Sequence, residues 1–184
     1  MVQRVGPKGR GADVKTDLIN AACELYEEKG LEPVSLREVA ERAGVNQAMI
    51  RHYFRDKHGF EQALLDIGYQ NLLSAMPENE DFETTFQAAI SALNKMPWFT
   101  LLRLRLVLVG ASHRDYIWDR HFPKLLERLG ATLPREAPFD LLCVMAMMDM
   151  PQVARKTVEP AFRIRFDDEF ARNYAVHVRG LMFR

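Results

Sequence analysis

Cysteine, charge of one sign and long apolar runs are all scarce in this chain. Of its 184 residues only Cys23 and Cys143 are cysteines, far apart and without metal-ligand spacing. That excludes a disulfide framework and a thiolate-held metal. It fits a reducing compartment, where free cysteines pack as small apolar groups. Lys and Arg number 25, and so do Asp and Glu. A neutral molecule does not coat nucleic acid indiscriminately, but one local basic face stays open to it. No run approaches the roughly 18 uncharged apolar residues of a membrane span. The most apolar stretch, 98–111, is too short and carries Arg103 and Arg105. The N-terminus is basic (Arg4, Lys8, Arg10) with no apolar segment behind it, so it does not read as a signal peptide. A cytoplasmic protein with no membrane partner is expected. Enzyme signatures are missing too. GxSxG, HExxH, P-loop and GxGxxG do not occur and the five histidines are scattered, so no catalytic residue, metal or cofactor is expected.

What is present is helical periodicity. Strand-like alternation occurs only at 162–166, a short piece without a partner, so the expected fold class is all-α. Residues 1–12 hold three glycines and three basic residues without an acid, and read as a flexible basic arm that could enter a minor groove. A helix is expected at 13–29, with Leu18, Ala21, Ala22, Leu25 and Tyr26 as its apolar stripe and Gly30 as a left-handed stop. Ser35 with Glu38 makes a capping box for a short helix at 36–43. Gly44 ends it and Asn46 caps a third helix at 47–54. Asp56 caps a fourth at 57–75, which residues 76–80 break. Further helices are expected at 82–95, 97–111, 119–129, 138–154 and 167–182, with Pro97 and Pro138 in first turns and Pro151 ending or kinking its helix.

The segment 35–54, SLREVAERAGVNQAMIRHYF, carries the functional signal. Two helices of about eight residues meet across a glycine-containing turn, with Val39, Val45 and Ile50 spaced to fill the angle between them. That is the helix-turn-helix pattern, whose second helix lies in the major groove. Gln47, Met49, Arg51 and His52 then face outward. Gln can pair with adenine, Arg with guanine, and Met can touch a thymine methyl. Ser35, Arg37, Tyr53, Lys57 and the backbone N–H groups opening the first of the two helices suit phosphate. Residues 51–58 hold three fixed positive charges against one acid, a basic patch on a neutral protein.

A wider spaced pattern surrounds this segment. Ile19, Ala21, Ala22, Leu25, Tyr26, Gly30, Ser35, Val39, Ala40, Ala43, Gly44, Val45, Ile50, Tyr53, Phe54, Asp56, Lys57, Phe60, Leu64 and Leu65 occur at spacings by which residues 13–72 resemble the TetR family of bacterial transcriptional regulators. The resemblance implies a three-helix DNA-binding domain at 13–58 and a larger helical ligand-binding and dimerisation domain at 59–184. It implies a homodimer on a palindromic operator in double-stranded DNA, most often a repressor released by a small-molecule effector. The positions aligned with the family's DNA contacts are Ser35, Arg37, Gln47, Ala48, Met49, Arg51, His52, Tyr53 and Lys57. The chain departs from the pattern at Asn46, where Ser is usual, at Gln47, where a basic residue is frequent, at Met49, where a small polar residue is, and at His58 and Gly59, where acids are.

Beyond residue 72 the resemblance is only one of helical character and length. Met and aromatic residues that could line an adaptable pocket include Phe86, Trp98, Trp118 and Met145. Arg103 and Arg105 point about 200° apart on one helix, so they cannot both reach solvent if it is buried. One of the two, Arg105 by preference, either lines a pocket and meets an acidic or polar ligand group or is internally paired with an acid such as Asp149 or Asp119, and the sequence leaves open which of Arg103 and Arg105 does which. His113, Asp115, Asp119 and His121 read as a solvated loop without metal spacing. By resemblance the last two helices form the dimer surface, with Phe139, Met145 and the stripe Phe170, Tyr174, His177 and Leu181 as candidates. A helical DNA-binding regulator that senses no small molecule is the alternative.

Overall fold

The structure, a computed structural model, describes residues 11–109, 111–130 and 137–183. The side chains of 11–13, 109, 111, 112, 130 and 137–142 are not described. The arm residues Arg4, Lys8 and Arg10 and the side chain of Phe139 therefore lie outside the described residues.

Ten helices and no strand occur among the described residues. They are α1 (Gly11–Lys29), α2 (Leu36–Ala43), α3 (Ala48–Phe54), α4 (Lys57–Ala75), α5 (Phe82–Lys95), α6 (Pro97–Val109), α7 (Ala111–Arg120), α8 (Phe122–Gly130), α9 (Ala137–Phe162) and α10 (Asp168–Met182). Short polar side chains start several of them by accepting the first free N–H groups. Asp56 takes Gly59 N–H at 2.8 Å, Asp81 takes Thr84 N–H at 2.8 Å, and Asp167 takes Phe170 N–H at 3.0 Å. Gly30 and Gly44 stop α1 and α2 with φ of +65° and +67°, the left-handed region that a side chain disfavours.

Two expectations are corrected. The segment read as a solvated loop at 113–119 is helical, as α7. Its His113 and Ile117 are buried and Tyr116 is half-buried. These few contacts face α4, too sparse a stripe to show as helical periodicity. The helix expected to end near Pro151 continues to Phe162. A mid-helix proline costs about 3 kcal/mol. Here Asp149 and Gln152 are buried on either side of it and bonded to α6 and α5, which offsets that cost. Residues 163–167 join α9 to α10 as a turn, with Arg163 at φ +55° and Phe166 buried.

One hydrophobic core runs through the molecule. It joins Leu18, Tyr26, Val39, Ile50 and Phe54 of the first three helices to Phe60, Leu64 and Tyr69 of α4, and then to Phe86, Phe99 and Leu102 beyond. Helix α1 packs against α6 as well as α2. Lys156 of α9 donates to the carbonyls of Glu27 and Glu28 at 3.1 Å each, capping the C-terminal end of α1. The expected boundary at 58/59 falls inside the first turn of α4, so that helix belongs to both the head and the body.

Candidate nucleic-acid interface

The geometry begins at Ser35. Its hydroxyl accepts Glu38 N–H at 3.2 Å, and the Glu38 carboxylate accepts Ser35 N–H at 2.9 Å, closing the capping box. Lys29 bonds the same carboxylate at 2.7 Å. Lys29 first, and then the Ser35 donors, hold Glu38 down at about 2. Arg37 stands exposed and paired with Glu41 at 2.7 Å. The turn places Val39 and Ile50 in the core, with Val45 partly buried, as their spacing predicts. Helix α3 starts one residue later than expected, with Gln47 rather than Asn46 at its N-cap and no side-chain cap bond from Gln47; the Asn46 side-chain oxygen still accepts Ala48 N–H at 2.8 Å from the turn before it.

Helix α3 is anchored on one side only. Ile50 and Phe54 are buried, and Phe54 meets Phe60 edge-on at 4.9 Å, tying α3 to α4. Gln47, Ala48, Arg51 and His52 are exposed, while Met49 and Tyr53 are half-buried. Among the described residues no acid pairs with Arg51 or Arg55 and no hydrogen bond engages the Gln47 side chain. Lys57 differs from the other candidates. Its ammonium donates to the Val34 carbonyl at 3.0 Å and lies 3.8 Å from Glu61.

Glu61 is a buried carboxylate that the sequence did not single out. It is buried at the junction of head and body. Tyr26 Oη donates to it from α1 at 3.3 Å, Arg105 Nη1 of α6 stands 4.0 Å away and His113 Nε2 of α7 3.2 Å away. The acid facing Arg105 is thus Glu61, not Asp149 or Asp119, and it is Arg103 that pairs with Asp149. His58 lies against His113, ring to ring at 4.2 Å, and His58 Nε2 meets Gln62 Nε2 at 2.8 Å. One turn further along α4, Asp66 accepts Tyr116 Oη at 2.7 Å and stands 2.9 Å from His121, which stacks on Tyr69. No single-sequence signal marks these pairs, because i-to-j contacts between helices leave no local periodicity.

The junction is expected to respond to acid. Burial holds both His113 and His121 below the usual histidine value. The neighbours His58, Lys57 and Arg105 add to this at His113, while Asp66 opposes it at His121. The folded chain therefore prefers neutral imidazoles. Their contribution is intact above about pH 6.5 and is lost as the pH falls below it. Glu61 has the opposite sign. Burial raises it against the pull of Lys57, so the folded state takes up its proton more readily than the unfolded chain. Thermal unfolding from about pH 7 down to about pH 5 is expected to show a falling Tm. The paired substitutions His113→Gln and His121→Gln should flatten the fall, and Glu61→Gln should steepen it. A level profile in the wild type would contradict the sign.

The remaining candidates scatter. Phe86 and Trp98 are core residues, Arg105 and Met145 are half-buried, and Trp118 is exposed with Phe122 against its ring. None of them lines a cleft of about 1100 Å³ between α4, α5 and α8, whose walls include Thr85, Lys124, Glu127 and Arg128. Phe170 and Tyr174 turn toward their own chain. Phe170 stacks between Phe166 and Tyr174, and Tyr174 Oη donates to the Met147 carbonyl at 3.0 Å. His177 and Leu181 remain exposed. Among the described residues no group of three or more His, Cys, Asp or Glu side chains is placed to hold a metal, and no helix is long and apolar enough to cross a membrane.

Comparison with known proteins agrees with this geometry. Residues 18–64 match the family of bacterial regulatory proteins of the tetR type. The HTH-type transcriptional regulator BetI of Escherichia coli is 38% identical over 71 residues, which is 35% of this chain and 36% of BetI. The chain's match thus spans about a third of the length of these curated relatives. Over nearly the whole chain the fold is that of a transcriptional regulator from Rhodococcus sp. Rha1 (TM-score 0.70, 22% identity, 91% of this chain and 95% of that one). It is also that of the TetR family regulator PfmR from Thermus thermophilus (TM-score 0.66, 19% identity, 88% and 96%). The helix-turn-helix at 35–54 thus lies inside the segment, 18–64, that is similar to the tetR family of bacterial regulatory proteins, and the helices around it share the fold of these solved structures.

Proposed function

We propose that the protein binds a palindromic operator in double-stranded DNA as a homodimer and represses transcription until a small molecule releases it. The observation that carries the DNA-binding reading is α3. It is held by Ile50 and Phe54 on one side and presents Gln47, Arg51 and His52 outward, with no acid paired to Arg51 among the described residues. In this reading Ser35, Arg37 and Tyr53 contact phosphates, and Gln47, Ala48, Met49, Arg51 and His52 meet base edges or the adjacent backbone. Lys57 works mainly from within, bracing Val34 and Glu61.

A second copy is supported by apolar residues left exposed on the last two helices, Met150 of α9 and Val176 and Leu181 of α10. Two recognition helices must lie about one helical turn apart on one DNA face. An effector that favours a body geometry with another spacing weakens DNA binding by its differential affinity, typically ~1–3 kcal/mol. Glu61 supports α4 as the lever, because its carboxylate meets Tyr26 of α1, Arg105 of α6 and His113 of α7. The filled interior around Phe86 and Trp98 favours the second reading, a regulator without an effector. If an effector binds, the cleft at Thr85 and Arg128 is the open space for it.

Selecting bound duplexes from random DNA tests the reading. A recovered inverted repeat is expected. Arg51→Ala and Gln47→Ala should each weaken binding to it by about 1–3 kcal/mol and relax preference at the base each reads. Recovery of no preferred sequence would remove the proposal. A ligand screen by thermal shift separates the two readings.

A further inference from the structure

The link between α3 and α4 contains a conformation that the motif does not explain. Helix α3 ends with Arg55 N–H bonded to the Arg51 carbonyl at 3.0 Å. Arg55 then turns to φ +71°, ψ −60°, and Asp56 N–H bonds the Phe54 carbonyl at 2.9 Å. This is a three-residue γ-turn of the rare, strained kind, with a bulky side chain where glycine would sit without cost. Gly59 makes the turn possible. A Cβ there would lie 2.2 Å from the Phe54 carbonyl oxygen. The glycine that departs from the family pattern at the start of α4 is thus the room this turn requires.

Strained backbone held by its surroundings marks positions where a side chain must point one way. The side chain at this one is a fixed cation. It is exposed, and among the described residues it has no acidic partner. Its nearest cation in sequence, Lys57, is occupied by Val34 and Glu61. Arg55 is therefore the uncommitted charge at the C-terminal end of the recognition helix, one residue past Phe54 and four past Arg51.

We infer that Arg55 contacts a DNA phosphate beside the groove α3 enters, and that the γ-turn at 54–56 exists to present it. The inference rests on the DNA-binding reading above. The phosphate contact fixes how deep the C-terminal end of α3 sits and adds affinity that is independent of base sequence.

The test measures affinity for a duplex recovered by selection, across a salt series, with wild type, Arg55→Gln, Arg55→Lys, Arg55→Gly and Arg51→Ala. Arg55→Gln keeps the fold and removes the charge. It should bind severalfold more weakly, with the salt slope shallower by about one counterion. Arg55→Lys should restore most of both. Arg55→Gly should lose the same affinity with no loss of Tm, since glycine accepts the turn. Wild-type affinity and slope in Arg55→Gln would overturn the inference, and loss of binding in Arg51→Ala in that same assay would leave the DNA-binding reading standing. Failure of the wild type to select any duplex overturns both.

Discussion

Asp149→Ala is expected to lower stability by about 3–5 kcal/mol, the cost of leaving a buried charge without its partner. For a chain of this size that corresponds to a fall in Tm on the order of 10 °C. Arg103 and Asp149 bond to each other across α6 and α9, and both are buried. Burial raises the Asp149 carboxyl above its usual range, with Arg103 opposing. Burial also works against the Arg103 charge, but Asp149 and Tyr69 outweigh it and keep the guanidinium protonated. The rings of Phe99 and Tyr69 lie 5.2 and 5.7 Å from that cation, and neither carries a charge that could replace the lost carboxylate. The double substitution Arg103→Met with Asp149→Leu should recover most of the loss, because two apolar groups of similar volume carry no desolvation cost. Differential scanning calorimetry on the three variants measures this. A single substitution costing under about 1 kcal/mol would mean the pair is solvated.

Gly68→Ala is expected to cost about 3 kcal/mol, at the upper end for added volume in a packed core. In an exposed helix the same change would stabilise by about 1 kcal/mol, since Ala is the better helix former. Here the sign reverses because α4 and α6 touch. A Cβ at position 68 would lie 2.0 Å from Cδ2 and 2.5 Å from Cγ of Phe99. Phe99 is fully buried, and Cγ lies near the root of a rigid side chain, so the ring cannot swing aside. The helices must part instead, and Arg103 one turn further on α6 parts with them. Chemical denaturation of Gly68→Ala, Phe99→Leu and the double variant forms a cycle. The double variant should be more stable than the sum of the two single losses predicts. Strict additivity would show that the clash is relieved elsewhere.

The two residues stand differently toward the sequence. The sequence offers Asp149 as one of two acids that could pair with a buried arginine, without deciding between Arg103 and Arg105. Helical geometry says that two arginines two residues apart diverge, and not which helix each one meets. Gly68 carries no signal, because a lone glycine inside a helix looks the same whether it faces solvent or a phenyl ring. The candidate interface is far more legible. Ser35, Glu38, Gly44 and Asp56 act within four residues of themselves, and each stands where its spacing puts it, while α3 starts one residue later than Asn46 suggests. Lys57 is the exception. Its spacing suits phosphate, yet the fold brings Val34 and Glu61 within its reach.

The same division runs through the molecule. Caps, left-handed stops and an apolar stripe are settled by forces that reach no further than one helical turn. The all-α class, most of the helix limits and the outward face of α3 could therefore be written down from the order of the residues. The course of α9 through Pro151, the existence of α7, and the meeting of Tyr26, Arg105 and His113 at Glu61 depend on partners distant along the chain, 35 to 52 positions away in the case of Glu61. Burial energy at such contacts outweighs local preference, and it comes into being only when the helices are already packed.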